Sequence, residues 1–151
     1  MLHKLQAYLN DEEIEHFTAN ELCRFRQFGT VVAPDPVLWE NIIPTAQIAD
    51  SIREVWAVMN EDGRVACRSG YRNDEYNIHV KGSPTSEHLV FKAMDMAPLN
   101  GKIHLFQKVV EAVIKVYRKA GYNVGLGYYR TFCHIDTNAV NKRVNRTWDR
   151  R

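Results

Sequence analysis

No apolar stretch of this chain approaches the roughly 20 residues needed for a bilayer-spanning helix, so no membrane span is expected. Cysteine is scarce. Cys23, Cys67 and Cys133 are odd in number, and none stands in C-x-x-C spacing. A disulfide framework and a cysteine metal knuckle are both disfavoured, and the three thiols read as reduced and mostly buried. A dominant charge is missing too: the formal net charge is +2 at pH 7, too small to point to nucleic acid as a partner. Basic residues gather only near the end, at Lys142, Arg143, Arg146, Arg150 and Arg151, and that cluster reads as a solvated tail. Repeats and low-complexity segments are absent. The first residues run from Met1-Leu2-His3-Lys4 to Asp11-Glu12-Glu13 without the apolar core of a signal peptide, so synthesis in a cytoplasm is the expectation.

What remains is an ordinary globular composition. The 151 residues, 45% hydrophobic and 25% charged, suffice for one domain, residues 1–151, around one core. Thr18-Ala19-Asn20-Glu21 has the form of a capping box, and Asp35-Pro36 reads as a second helix start. Ile48, Ile52, Val55, Trp56 and Met59 recur at helical spacing between Thr45 and Asn60. A second helix has Phe106, Val109, Val110, Val113, Val116 and Tyr117 inward and Gly121 as its stop. Arg64 to Ser69 reads as a short strand, Asn73 to Thr85 as a long polar loop, and Glu87 to Met96 as a second strand. Val124 to Asp136 reads as two more strands joined near Tyr129-Arg130. These elements predict an α+β domain in which helices pack on a small, mainly antiparallel sheet.

Two separated segments carry the chemistry. Ser86-Glu87-His88 runs on to Ala93-Met94-Asp95, and Cys133-His134-Ile135-Asp136 answers it near the end. His88, Asp95 and His134 supply two imidazoles and one carboxylate. Three N/O ligands leave a fourth tetrahedral position open, as hydrolytic zinc sites do and structural ones do not. Strand alternation puts Asp136 on the face of His134 and turns Cys133 away. A Cys133/His134 thiol pair is therefore disfavoured, and no nucleophile-elbow sequence is present. The same alternation would set Ser86 beside His88, where its hydroxyl could hold substrate, and would point Glu87 away. His79 and His104 read as non-ligands.

Further short motifs occur in order: Ser69-Gly70-Tyr71-Arg72, then Asn77, Gly82, Gly125-Leu126-Gly127-Tyr128, and Arg146-Thr147-Trp148. From about Phe17 to Trp148 this series resembles the zinc D-Ala-D-Ala carboxypeptidases, peptidoglycan peptidases that share a metal core with Hedgehog domains. The resemblance implies that Zn2+ is held by His88, Asp95 and His134, and that Arg72 faces the site to stabilise an oxyanion or bind a substrate carboxylate. The implied substrate is a peptidoglycan stem peptide or cross-link cut next to D-alanine, with the chain acting as a monomer. Without a signal peptide, action on the wall would follow release, as by a phage lysis system or virion. Two departures stand out. Phe91 occupies the position where the family has glycine, and Thr131 the position, three residues before the last metal histidine, where many relatives carry a catalytic acid. Asp136 is accordingly expected as general base, with orientation of a ligand histidine as its competing role. A non-catalytic zinc-binding module, or a phage structural protein with this fold, are the alternatives.

Overall fold

The computed structural model describes residues 1–137 and 144–151; Lys142 and Arg143 of the basic tail lie outside the described residues. Helix α1 (Leu2–Asp11) buries Leu5 and Leu9, one turn apart, and leads to α2 (Ala19–Leu22). The capping box starts α2 as expected: Thr18 Oγ1 accepts from the Glu21 amide while the Glu21 carboxylate accepts from the Thr18 amide. A two-stranded hairpin, β1 (Arg24–Phe25) with β2 (Thr30–Val31), follows. Next comes a 3-10 helix (Pro36–Ile42), begun by Asp35, whose carboxylate accepts from the Val37 amide.

Helix α3 (Ile43–Met59) turns Thr45, Ile48, Ala49, Ile52 and Trp56 into the core. Val55 and Met59, expected on that face, lie at its margin and are exposed. Helix α5 (Ile103–Lys119) buries Phe106, Val109, Val110, Val113 and Ile114, but Val116 is exposed, contrary to its expected place inward. The two helices pack on each other, with Trp56 and Phe106 edge to face at 5.3 Å. Losing a fully buried aromatic of this kind costs about 3–5 kcal/mol.

The main sheet contains β3 (Val65–Ser69), β4 (Ala93–Pro98), β5 (Val124–Tyr128), β6 (Cys133–Thr137) and β7 (Thr147–Asp149) in the order β3-β4-β6-β5-β7. All pairings are antiparallel except β5 with β7, which is parallel. Helices α3 and α5 cover one face of the sheet's centre. Every residue of β4 is buried, as a central strand covered on both faces must be.

Two segments differ from the sequence reading. The loop from Asn73 to Thr85 contains helix α4 (Asp74–His79), started by the Asn73 side chain, which accepts from the Tyr76 amide at 2.9 Å. The strand expected from Glu87 begins only at Ala93. Residues 86–92 are wound into turns by the amides of Leu89, Phe91 and Lys92 bonding to the carbonyls of Ser86, His88 and Glu87. Phe91 adopts φ 58°, the left-handed region favoured by glycine and costly for other residues by roughly 1–2 kcal/mol. Its ring is fully buried, edge-on to Tyr71 at 6.0 Å, and this burial offsets the backbone cost.

Candidate metal centre

One transverse row of the sheet assembles the site. Ser69 on β3 pairs with Asp95 on β4, Asp95 with His134 on β6, His134 with Gly127 on β5, and Gly127 with Trp148 on β7. Motifs scattered over eighty positions of chain thus stand side by side. The glycines of Gly125-Leu126-Gly127 are space-making. A Cβ on Gly127 would lie 2.5 Å from the Trp148 ring, and one on Gly125 would lie 2.5 Å from the Asp136 carboxylate.

His88 enters this row from the turn before β4. Its Nδ1–H donates to the Gly70 carbonyl at 2.6 Å, so Nε2 carries the lone pair and faces Asp95 Oδ1 at 3.2 Å. His134 approaches the same oxygen through Nδ1 at 3.0 Å, and its Nε2–H donates to Asp136 Oδ2 at 2.7 Å. The other Asp136 oxygen is ion-paired with Arg146. Arg72 donates through Nη2 to Asp95 Oδ2 at 3.2 Å, through Nε to Ser69 Oγ at 3.0 Å and through Nη1 to Asn77 Oδ1 at 3.3 Å. Trp148 lies against His134, ring centroids 5.2 Å apart, and its indole N–H donates to the Tyr129 hydroxyl at 3.0 Å.

Burial and charge set the protonation of this group in the metal-free protein. Burial lowers the pKa of His88 against the opposing pull of Asp95, so this imidazole is neutral at pH 7. Burial would raise Asp95, but His88 and His134 outweigh it and hold the carboxyl well below the usual carboxylate range. Burial would lower His134, yet hydrogen bonds to Asp136 and Asp95 prevail and raise it to about 9. His134 therefore carries a proton on Nδ1, shared with Asp95.

The donor set fits a metal ion. Ligand atoms of His88, Asp95 and His134 all lie within 4.8 Å of one another. The His88 lone pair faces a carboxylate oxygen with no proton available between them, an acceptor against an acceptor that a cation would resolve. Loss of the Nδ1 proton makes His134 the third donor, while Asp136 keeps its ring oriented through the other nitrogen.

The proposed site residues from the sequence are brought to one cavity of about 510 Å3: Arg72, Ser86, His88, Asp95, His134 and Asp136 all line it. Ser86 does so from a turn, not a strand, and its hydroxyl accepts from the His88 amide at 3.2 Å. Glu87, expected to point away, also lines the cavity, because the alternation of a strand does not apply to a turn. Asp136 is bound at both oxygens, by His134 and Arg146. That arrangement has the geometry of the competing role expected for Asp136, a carboxylate that orients a ligand histidine. Thr131 is outside the cavity lining and accepts a hydrogen bond from Arg68 at 2.9 Å. His79 packs against Phe28 at 4.8 Å. Tyr129 and Phe132, stacked at 4.4 Å, form an aromatic wall that carried no signal in the sequence beyond its place next to the G-x-G motif. Arg146 belongs to the site and not to a solvated tail.

The three thiols are free and buried, as expected. Among the described residues no helix is long and apolar enough to cross a membrane. The family model described as Peptidase M15 matches residues 15–136, most of the chain. No curated protein and no solved structure matches it.

Proposed function

The chain belongs to the peptidase M15 family, a family of metallopeptidases, and from that premise we propose that it is a zinc enzyme hydrolysing peptide bonds of peptidoglycan stem peptides or cross-links, next to D-alanine. The observation that carries this reading is the convergence of His88, Asp95 and His134 in a cavity beside the part-buried guanidinium of Arg72. In this reading those three residues hold the ion. Zinc, when bound, supplies Lewis acidity, polarising a scissile carbonyl and acidifying water.

The rest of the chemistry falls to the chain. Arg72 spends three N–H groups on Asp95, Ser69 and Asn77, and a guanidinium has five. The remaining two are available to an oxyanion or a substrate carboxylate in the cavity. Ser86 offers its hydroxyl on the same wall. Asp136, braced by Arg146, holds the His134 ring in the ligating orientation. Of the carboxylates lining the cavity, Asp95 is the proposed ligand and Asp136 the orienter, so Glu87 is the proposed proton acceptor. Asp74 and Glu75, which flank the start of α4, do not line the cavity.

A second reading, a zinc-binding module without catalysis, is favoured by one observation: Thr131 stands where many relatives have an acid, and its hydroxyl is occupied by Arg68. Mass spectrometry of muropeptides after incubation with purified murein separates the two. The peptidase reading expects new products that lack a terminal D-alanine or a cross-link, and their disappearance with a chelator or in His88→Ala. Murein that binds the zinc-loaded protein but stays chemically unchanged would establish the module instead.

A further inference from the structure

The cavity at the metal-ligand group holds more positive charge than its own carboxylates engage. Arg72 is committed to Asp95 and Arg146 to Asp136. Lys81 and Arg150 line the same cavity, and neither has an ion-pair partner among the described residues. Glu87, which also lines the cavity, already has an interaction of its own.

Both cations stand on held backbone. Lys81 follows α4 in a Schellman ending: its amide bonds to the Ile78 carbonyl at 3.1 Å and the Gly82 amide to the Asn77 carbonyl at 2.8 Å. The position has φ 58°, where helices usually place glycine, yet this chain has a lysine there. The Asn77 side chain ties the segment to Ser83 and to Arg72. Arg150 reaches the cavity from the opposite edge of the sheet. Its amide donates to the Tyr128 carbonyl at 2.7 Å, extending the pairing of β7 with β5. Strand alternation then aligns Arg146, Trp148 and Arg150 on the cavity side, and all three line it.

We propose that Lys81 and Arg150 form an anion-recognising rim that selects peptides bearing a carboxylate away from the scissile bond. This inference rests on the peptidase reading of the site. Arg72, at the base, serves the reacting end of the substrate. The rim cations, from two sides of the sheet, meet charge elsewhere along the peptide. Exposed pairs of this kind are individually weak, about two- to fivefold in affinity, so the selection depends on both acting together and fades with salt.

The test is equilibrium binding to the zinc-loaded protein, read by intrinsic tryptophan fluorescence. The probes are L-Ala-γ-D-Glu-L-Lys-D-Ala-D-Ala and the same peptide with the glutamate α-carboxylate amidated, with cleavage followed in parallel by mass spectrometry. The wild type is expected to prefer the free carboxylate. Lys81→Gly and Arg150→Gln should each reduce that preference about two- to fivefold, and the double variant should abolish it. Lys81→Gly should melt at the same or a higher temperature, since glycine suits the left-handed backbone, and this separates lost recognition from lost folding. Equal binding of the two peptides by the wild type, a preference that survives the double variant, or no binding of either peptide overturns the inference. A preference without cleavage leaves the rim standing and removes the peptidase reading. Cleavage without a preference does the reverse.

Discussion

Zinc binding should expel one proton from His134, and the pH dependence of both affinity and stability follows from that exchange. In the metal-free protein His134 holds its proton up to about pH 9, while His88 is neutral at pH 7. At pH 7 the ion must displace a proton bound two pH units more firmly than the solution demands. Its apparent affinity is therefore lower by about a hundredfold than above pH 9, and rises about tenfold per pH unit in between. Stability of the metal-free protein moves the other way. The folded-state pKa of His134 lies above its unfolded value of about 6.5, so its contribution is complete below pH 6.5 and is lost as pH rises through 9. From 6.5 to about 9 the shift corresponds to roughly 3 kcal/mol. His88 has the opposite sign, since its folded pKa is lowered, but its effect ends near pH 6.5, and Asp95 stays ionised throughout. Between pH 7 and 9 His134 therefore dominates this group. Calorimetric titration with zinc against a competing chelator, in buffers of different ionisation heat, counts the protons. Thermal melts of the metal-free protein across the same range supply the second arm. Flat affinity from pH 7 to 8.5 with no proton released would refute the reasoning, and two protons released would show that burial does not keep His88 neutral.

Asp136→Asn should keep the fold and cut zinc affinity about ten- to a hundredfold, and it should bring the proton count at pH 8 towards zero, because His134 loses a charged partner. A variant that binds zinc normally but turns over roughly a hundred- to ten-thousand-fold more slowly would restore Asp136 as the general base. Arg72→Lys keeps the charge but loses the planar fork that spans Asp95, Ser69 and Asn77. Turnover on muropeptides should fall about a hundred- to a thousandfold with a much smaller change in melting temperature, and unchanged turnover would place Arg72 outside the reaction. Phe91→Gly relieves roughly 1–2 kcal/mol of left-handed strain but removes a fully buried ring worth about 3–5 kcal/mol, so urea unfolding should show a net loss of about 1–4 kcal/mol; a net gain would mean that the family's glycine is the better solution here too. Gly127→Ala drives a Cβ into the Trp148 ring and should lower stability by about 1–3 kcal/mol, with Trp148 fluorescence reporting the displaced ring.

Much of this protein was legible because the governing interactions are local. The Thr18 capping box, the buried stripes of α3 and α5 and the alternation along β6 depend on neighbours within a turn or a strand pair. The ordered motifs from Ser69-Gly70-Tyr71-Arg72 to Arg146-Thr147-Trp148 pointed to the family that residues 15–136 match. Where local reasoning failed, it had assumed the wrong backbone. Ser86, Glu87 and His88 were read by strand alternation, but a left-handed Phe91 closes a turn there, and Glu87 consequently faces the cavity. Val55 and Val116 satisfy a helical period but lie beyond the width of the core.

The sequence by itself determined the donor types, two imidazoles and a carboxylate, and the order in which they occur. Tertiary structure alone decided their convergence, because sheet register is set by pairing between distant segments. That register puts Ser69, Asp95, His134, Gly127 and Trp148 in a single row. It also decided what surrounds Asp136. A carboxylate two residues after a histidine can accept a proton from water or hold the ring, and the choice depends on Arg146, which a parallel edge strand brings to its other oxygen. That Lys81 and Arg150 have no ion-pair partner among the described residues was likewise invisible in the chain, since a cation is paired or unpaired only with respect to what folding sets beside it.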